Sequence, residues 1–410
     1  MTLPPVNAVH VKGTGPAAAL CAAALAQMRS RLGFTVSADL SRAESPQPPV
    51  ILGPQSQKLL KALGLNERDL IKACAGTFAV SAKFEGGNAC PFITSAPVTN
   101  GVALHQIHGA GKTGEPYSQY FTPAHMTGPG LFSHPDISDD YRYSVVLDAG
   151  LFEHYMHRAA AHYGCKEAPA ASADLTVKAQ HNSGAQTVQT PDVTMPVCLS
   201  YDLTKTGVTA KAVTQSHKYV MKTDVTATQK QTAVWDGDVI DAGHGLAGLH
   251  ALDHSYMDAL AFSLQSLFNV WPASADTALA RNEFNRRTGS FIARAVDYQA
   301  APMILAGHRA RDSASPELAV KLTQFLSRGR LVSFDDEPVS DAEWTAYMLA
   351  AGAKPGRTDP LASQFSAAQI EDILSGRRQA AKKRAADMRS QTDYLRASDA
   401  LTGNVQRAAS

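Results

Sequence analysis

The stretch GHGLAGLHALDHS, residues 243–255, places His244, His250, Asp253 and His254 within eleven positions. Imidazole is the commonest metal ligand and also the side chain that exchanges protons near neutral pH. His250 and His254 are four residues apart, so on a helix they would share a face. They could then ligate one metal ion, with His244 or Asp253 completing the set. H-x-x-x-H without a glutamate between its histidines also arises by chance, and a helix-end histidine is most simply a hydrogen-bonded structural residue. From these residues alone, a metal site, a catalytic cluster and an altered inherited site all stay open.

A second candidate lies near the start. Residues 6–28, VNAVHVKGTGPAAALCAAALAQM, alternate apolar positions, pass through Gly13-Thr14-Gly15-Pro16-Ala17-Ala18 and continue as an alanine-rich helix. FTVSADL (34–40) then reads as a second strand. A strand–turn–helix of this kind can bind a dinucleotide. Gly13 and Gly15 let the backbone approach a pyrophosphate, Ala18 permits close packing, and the helix N-terminus offers amides. The same spacing also fits an ordinary strand–turn–helix. An acid at the end of the second strand would hold the ribose; the best register puts Ala38 there and Asp39 one place late.

The elements that must position these groups follow from periodicity. SQKLLKALGLNERDLIKACAGTF (56–78) predicts an amphipathic helix, a break at Gly64, and a second helix opened by the capping-box-like Asn66-Glu67-Arg68-Asp69. FAVSAKFEGG reads as one strand, and residues 86–142, rich in Gly, Pro, His and Tyr, as a loop-rich surface suited to a substrate cleft. Residues 143–165 predict a strand and then a helix begun by Asp148. Residues 166–234 alternate Thr and Val with polar residues, as antiparallel strands do, and WDGDVIDAG (235–243) reads as one buried strand. From Tyr256 onward the pattern is mainly helical, ending in a helix that carries Arg377, Arg378, Lys382, Lys383 and Arg384. A basic run of this length reads as a solvated face.

Composition bounds the rest. The 410 residues are 44% hydrophobic, enough for a large core divided between two closely joined parts. Lys and Arg number 38 against 37 Asp and Glu, a formal charge of +1 that argues against nucleic acid as the main partner. Cys21, Cys74, Cys90, Cys165 and Cys198 are scattered with no C-x-x-C, which points to reduced thiols in a cytoplasmic protein and away from a disulfide framework or zinc site. AAALCAAALA lacks the basic leader and cleavage site of a signal peptide, and no apolar run nears the roughly 20 residues a membrane helix needs.

Together these stretches resemble the flavin-dependent tryptophan halogenases from end to end. VKGTGPAAALCAAALA is similar to the family's first FAD turn and helix, LLKALGLNERDLIKACAGTFAVSAKFEGG to its helix–turn–helix and following strand, and VVLDAGLFEHYMHRAAAHYGC to its HFDAGLF segment. WDGDVIDAGHGLAGLHALDHS aligns without a gap to W-x-x-N-V-x-x-x-G-L-S-A-G-F-L-E-P-L-E-S-T. EFNRR (283–287) and EWTAYMLAAGAKPGRTDPLA (343–362) also correspond. The chain is shorter than typical members, the deficit falling between Cys165 and Trp235.

The resemblance implies two-component chemistry. A separate flavin reductase supplies reduced FAD, halide is oxidised to hypohalous acid, a lysine relays the halogen to an electron-rich arene, and a carboxylate accepts the proton released. It places the FAD contacts at Gly13, Gly15, Ala18, Asp39, Gly243, His244 and Ala247. The lysine falls in ILGPQSQK, with Lys58 the candidate and Gln57 its strict alignment partner. The family's W-x-W-x-I-P screen corresponds to Val208–Val213, which has neither aromatics nor proline. In the ungapped register His250 replaces the active-site glutamate, Asp253 keeps a carboxylate at the second position, and His254-Ser255 replace the halide-associated pair.

The expected fold is α/β. A flavin-monooxygenase-like FAD-binding module with a Rossmann-type βαβ unit and an antiparallel sheet occupies residues 1–255, with a helical and loop-rich insertion at about 54–142. A helical, substrate-facing part occupies 256–410. The expected function is a divergent FAD-dependent halogenase or monooxygenase-like enzyme acting on a tryptophan- or indole-like aromatic. The alternatives are a catalytically degenerate partner of an active paralogue and, third, a His-ligated metal enzyme. Expected partners are the small aromatic substrate and the reductase, with a homodimer or paralogue complex as the assembly and neither nucleic acid nor membrane.

Overall fold

The structure, a computed structural model, describes residues 6–42, 47–85, 89–111, 113–168, 173–180, 185–191, 194–205, 207–224, 234–242, 249–272 and 277–401. Its helices are α1 (Gly15–Leu32), α2 (Pro54–Ala62), α3 (Glu67–Ala73), α4 (Leu104–Gly111), α5 (Thr122–Thr127) and α6 (Ala149–His162). The C-terminal part adds α7 (Ser255–Asn269), α8 (Ala278–Leu305), α9 (Pro316–Arg328), α10 (Asp341–Ala350), α11 (Ala367–Ala386) and α12 (Gln391–Ala397).

The Ala8–Thr14 strand lies between Thr35–Ser41 and Leu175–Gln180, parallel to both. Val9 and Val11 are buried, and the first 12 residues of α1 (Gly15–Ala26), mostly alanine, are buried throughout. Side chains this small let α1 lie close against the sheet and α6, which a helix of larger residues could not do. The helix ends at Gly33, whose left-handed φ of 78° lets its N–H reach Arg29 O. Lys166–Glu167 extends the sheet beyond 35–41, and Val239–Asp241 with Trp235–Asp236 extends it beyond 175–180. A doubly flanked parallel centre joined through a buried helix is the expected βαβ arrangement.

Two further sheets build the rest of the N-terminal region. Val50–Leu52, Ser144–Leu147 and Thr77–Ala79 form an antiparallel three-stranded sheet. A six-stranded sheet runs in the order 185–191, 217–224, 207–213, 198–203, 81–84 and 89–91. One buried apolar cluster extends from Val6 to Leu401, so the C-terminal helices share the core of the sheets.

Three sequence expectations are corrected. Residues 77–84 are two strands in different sheets, because Val80 between them gives its N–H to Val197 O and its carbonyl to Phe92 N. Leu175–Gln180 pairs in parallel; alternation fixes which side chains are buried but not strand direction. Residues 235–241 fold back as a two-residue hairpin, which Gly237 permits with a φ of 56°. Residues 86–142 also hold α4 and α5 among their loops. Three arginines of the basic run on α11 bridge back to that segment, Arg377 to Asp140, Arg378 to Glu115 and Arg384 to Asp139.

Candidate functional site

The turn into α1 has the close packing that its small residues imply. A Cβ on Gly13 would stand 1.6 Å from Ala179 O and 3.1 Å from Ala18 Cβ, so glycine is required there for the approach of the neighbouring strand. Gly15 adopts a left-handed φ of 72°. The first turn of α1 bears no acidic side chain, leaving the positive helix end unopposed. These features fit a phosphate-bearing cofactor. Asp39 pairs in register with Lys12 and is exposed, two residues before its strand ends. Gly243, His244 and Ala247 lie outside the described residues.

Residues 249–255 form the turn that leads into α7. The helix begins only at Ser255, so His250 lies before it and does not share a helical face with His254. The start is set by Asp253, whose Oδ1 accepts the Ser255 N–H at 2.8 Å. Gln299, from α8, clamps the turn: its Oε1 accepts the His250 N–H at 3.0 Å, and its Nε2 donates to His250 O and to Asp253 Oδ1, each at 2.8 Å. The Tyr201 hydroxyl donates to Leu252 O at 3.1 Å. Asp253 is 9% exposed. Burial, joined by the charge of Asp253, holds the Tyr201 and Tyr347 phenols well above their ordinary range and therefore neutral.

His250 places Nδ1 3.1 Å from Thr223 Oγ1, and burial lowers its pKa against the opposing pull of Asp253. It is neutral at pH 7. His254 is 1% exposed and turns both ring nitrogens toward the protein. Arg142 Nη2 donates to His254 Nε2 at 2.8 Å. Arginine cannot accept, so the ring proton sits on Nδ1, which lies 3.3 Å from Asp258 Oδ2.

The same contacts continue in both directions. Arg142 makes a two-pronged pair with Glu343 of α10, through Nε at 2.7 Å and through Nη2, and stacks 4.7 Å above Phe92. Burial works against the charged form of Arg142, but Glu343, joined by Tyr298 and Asp258, outweighs it and raises its pKa. Asp258 Oδ1 takes the Ser56 hydroxyl at 2.6 Å, the Ser56 N–H at 2.9 Å and the Gly53 N–H at 3.2 Å. Burial alone would raise the Asp258 pKa, but the contacts with His254 and Ser56 outweigh it and hold the carboxyl below its usual range. A buried row, Glu343–Arg142–His254–Asp258–Ser56, thus links α10, the 142 loop, α7 and the start of α2.

Lys58 is not part of this assembly. It follows Ser56 by two residues on α2, which turns it about to the opposite face, where it is exposed beside Lys61, Glu67 and Tyr143. Gln57 donates to Leu52 O and Tyr143 O, both at 3.2 Å. Among the described residues no three His, Cys, Asp or Glu side chains are grouped to hold a metal; His244 is outside that set. Val208–Val213 lies within the six-stranded sheet.

Sequence reasoning missed Gln299, Arg142, Tyr201, Asp258 and Glu343. Only Asp258 had a local signal, four residues after His254 on one helical face. The others arrive from segments 46 to 201 residues away from their partners.

This fold matches that of the flavin-dependent halogenases. BrvH from Brevundimonas sp. BAL3, a flavin-dependent halogenase, superposes with a TM-score of 0.83 at 17% identity, covering 96% of this chain and 100% of that one. Xcc4156 from Xanthomonas campestris, also a flavin-dependent halogenase, gives 0.81 at 17% identity over 96% and 98% of the two chains. SttH, a tryptophan 6-halogenase from Streptomyces toxytricini, gives 0.77 at 13% identity over 95% and 100%. No curated protein matches the sequence. A family model described as tryptophan halogenase matches residues 8–204 and 202–367. The chain belongs to the tryptophan halogenase family, whose members are flavin-dependent halogenating oxidoreductases. Among the described residues no helix is long and apolar enough to cross a membrane.

Proposed function

We propose that this chain is an FAD-dependent halogenase of an indole- or phenol-like arene other than free tryptophan, with Asp253 as the carboxylate at the arene and His250 as its neutral neighbour. The observation that carries the reading is the way Asp253 is held. Gln299 Nε2 and the Ser255 N–H both fix Oδ1, and the nearby Tyr201 and Tyr347 phenols stay neutral. A carboxylate fixed in this way carries its negative charge before the arene arrives. It can stabilise a ring that becomes cationic and accept the proton the ring sheds.

The 13–18 turn would hold the FAD pyrophosphate at the open end of α1, with a separate flavin reductase supplying electrons. When bound, the flavin supplies the oxidising chemistry that turns halide into an electrophilic halogen. His250, neutral and bonded to Thr223, can lend a hydrogen bond but no fixed charge. Val208–Val213 offers no aromatic screen, which favours a more electron-rich ring than free tryptophan.

The test has two stages. Titration with FAD should give saturable binding, weakened by the exposed position of Asp39; no saturation at ~1 mM FAD would exclude the enzyme reading. Then, with reductase, NADH, O2 and chloride or bromide, chromatography with mass detection should find halogenated indoles or phenols and barely detectable halotryptophan. Efficient chlorination of free tryptophan would overturn the substrate assignment.

A further inference from the structure

A cavity of about 470 Å³ lies where α2 and α3 cover one face of the three-stranded sheet. It is within the ordinary size range of small-molecule pockets and shares no lining residue with the 249–255 turn or α7. Five aliphatic side chains, Leu52, Leu60, Leu65, Leu70 and Val145, and the Tyr143 ring line it. Two features of its polar edge define the occupant. Glu67 is already engaged, accepting from His134 Nε2 and from the Tyr143 hydroxyl, each at 2.7 Å. Lys58 and Lys61, one turn apart on α2, are exposed, and neither forms a salt bridge among the described residues. The cavity therefore combines an apolar interior with two ammonium groups against the single carboxylate of Glu67, a net positive edge.

We propose that this cavity is a second binding site, for a small aromatic anion whose ring fills the aliphatic interior and whose carboxylate meets Lys58 and Lys61. Ring burial supplies most of the affinity, and the paired lysines supply the preference for negative charge. The site borders the machinery without joining it: α2 presents Lys58 and Lys61 to the cavity and Ser56, from its first turn, to Asp258.

The probe is indole-3-propionate, titrated by calorimetry into the full-length protein with no flavin present. Both variants below alter this cavity and leave the arene site proposed above intact, so loss of binding in them reports on this cavity and not on the halogenase reading. Wild-type protein should bind it saturably, while tryptamine, with the same ring and a positive charge, should bind at least roughly tenfold more weakly. The double variant Lys58→Glu/Lys61→Glu should lose roughly tenfold or more in affinity, and Leu65→Trp, which fills the cavity, should abolish binding. Unchanged affinity in either variant, equal binding of tryptamine, or no binding at ~10 mM probe would overturn the proposal. If Leu65→Trp fails to fold, the charge reversal decides alone.

Discussion

Asp253 and His250 sit three residues apart on one turn and share the amide of Gln299, yet their environments give them opposite roles. Desolvation favours the neutral form of His250, whereas Asp253 Oδ1 is fixed by the Ser255 N–H and Gln299 Nε2. Asp253→Asn is a clean test because Asn keeps an oxygen for Ser255 N–H and Gln299 Nε2 and loses only the charge. Product formation should fall by about 10²–10³, as when one preorganised electrostatic group is removed, with FAD affinity unchanged. A variant as active as the wild type would move the proton-accepting role elsewhere. His250→Glu adds a second carboxylate three residues from Asp253, and mutual repulsion should raise one of their pKa values. Turnover should then peak at a higher pH than in the wild type, and a pH–rate profile on the preferred arene would show it.

Helix α2 shows how far an element can be read from sequence and where the reading stops. The break at Gly64 and the cap at Asn66, which accepts from Arg68 and Asp69 N–H groups, were legible because caps and breaks are local chemistry. So was the strand–turn–helix at 8–32, whose packing needs Gly13. The partner of Ser56 was not legible. Asp258 lies 202 residues away, and nothing within the PQSQK stretch encodes it. The same limit hid Gln299 and Arg142, and the helical rotation that turns Lys58 away from the face of Ser56 was not weighed. Gly53, which precedes α2, sits tightly against the buried row. A Cβ there would come 2.4 Å from Asp258 Oδ2 and 2.7 Å from His254 Cγ. Gly53→Ala should therefore cost about 1–3 kcal/mol of stability, measurable by denaturant unfolding. The matched substitution Gly128→Ala, where a Cβ meets nothing within 4 Å, should cost far less. Equal losses would mean that the contact around Asp258 is looser than its distances indicate.

Across the whole molecule, burial lowers the pKa of His10, His105, His157 and His250 from the ordinary value of 6.5. Below that value the unfolded chain binds protons that the folded chain refuses, so their contribution is complete above pH 6.5 and is lost as pH falls through the lowered values. Asp297, pushed up to about 6 mainly by burial, works the other way and gains as its carboxyl protonates. Melting temperature should hold steady above about pH 7 and decline on acidification, and His10→Gln should flatten the first part of that decline. An identical slope in the variant would remove His10 from the account. The order of strands in the first sheet carries a consequence for the ribosome. Ala8–Thr14 is synthesised well before its partner Leu175–Gln180, which follows some 160 residues later, and Val239–Asp241 comes later still. At about 5–20 residues per second the nascent strand waits roughly 10–30 s for its neighbour. Through that interval the alanine-lined α1 has no completed sheet to cover it, so the newborn chain must be shielded before it can close.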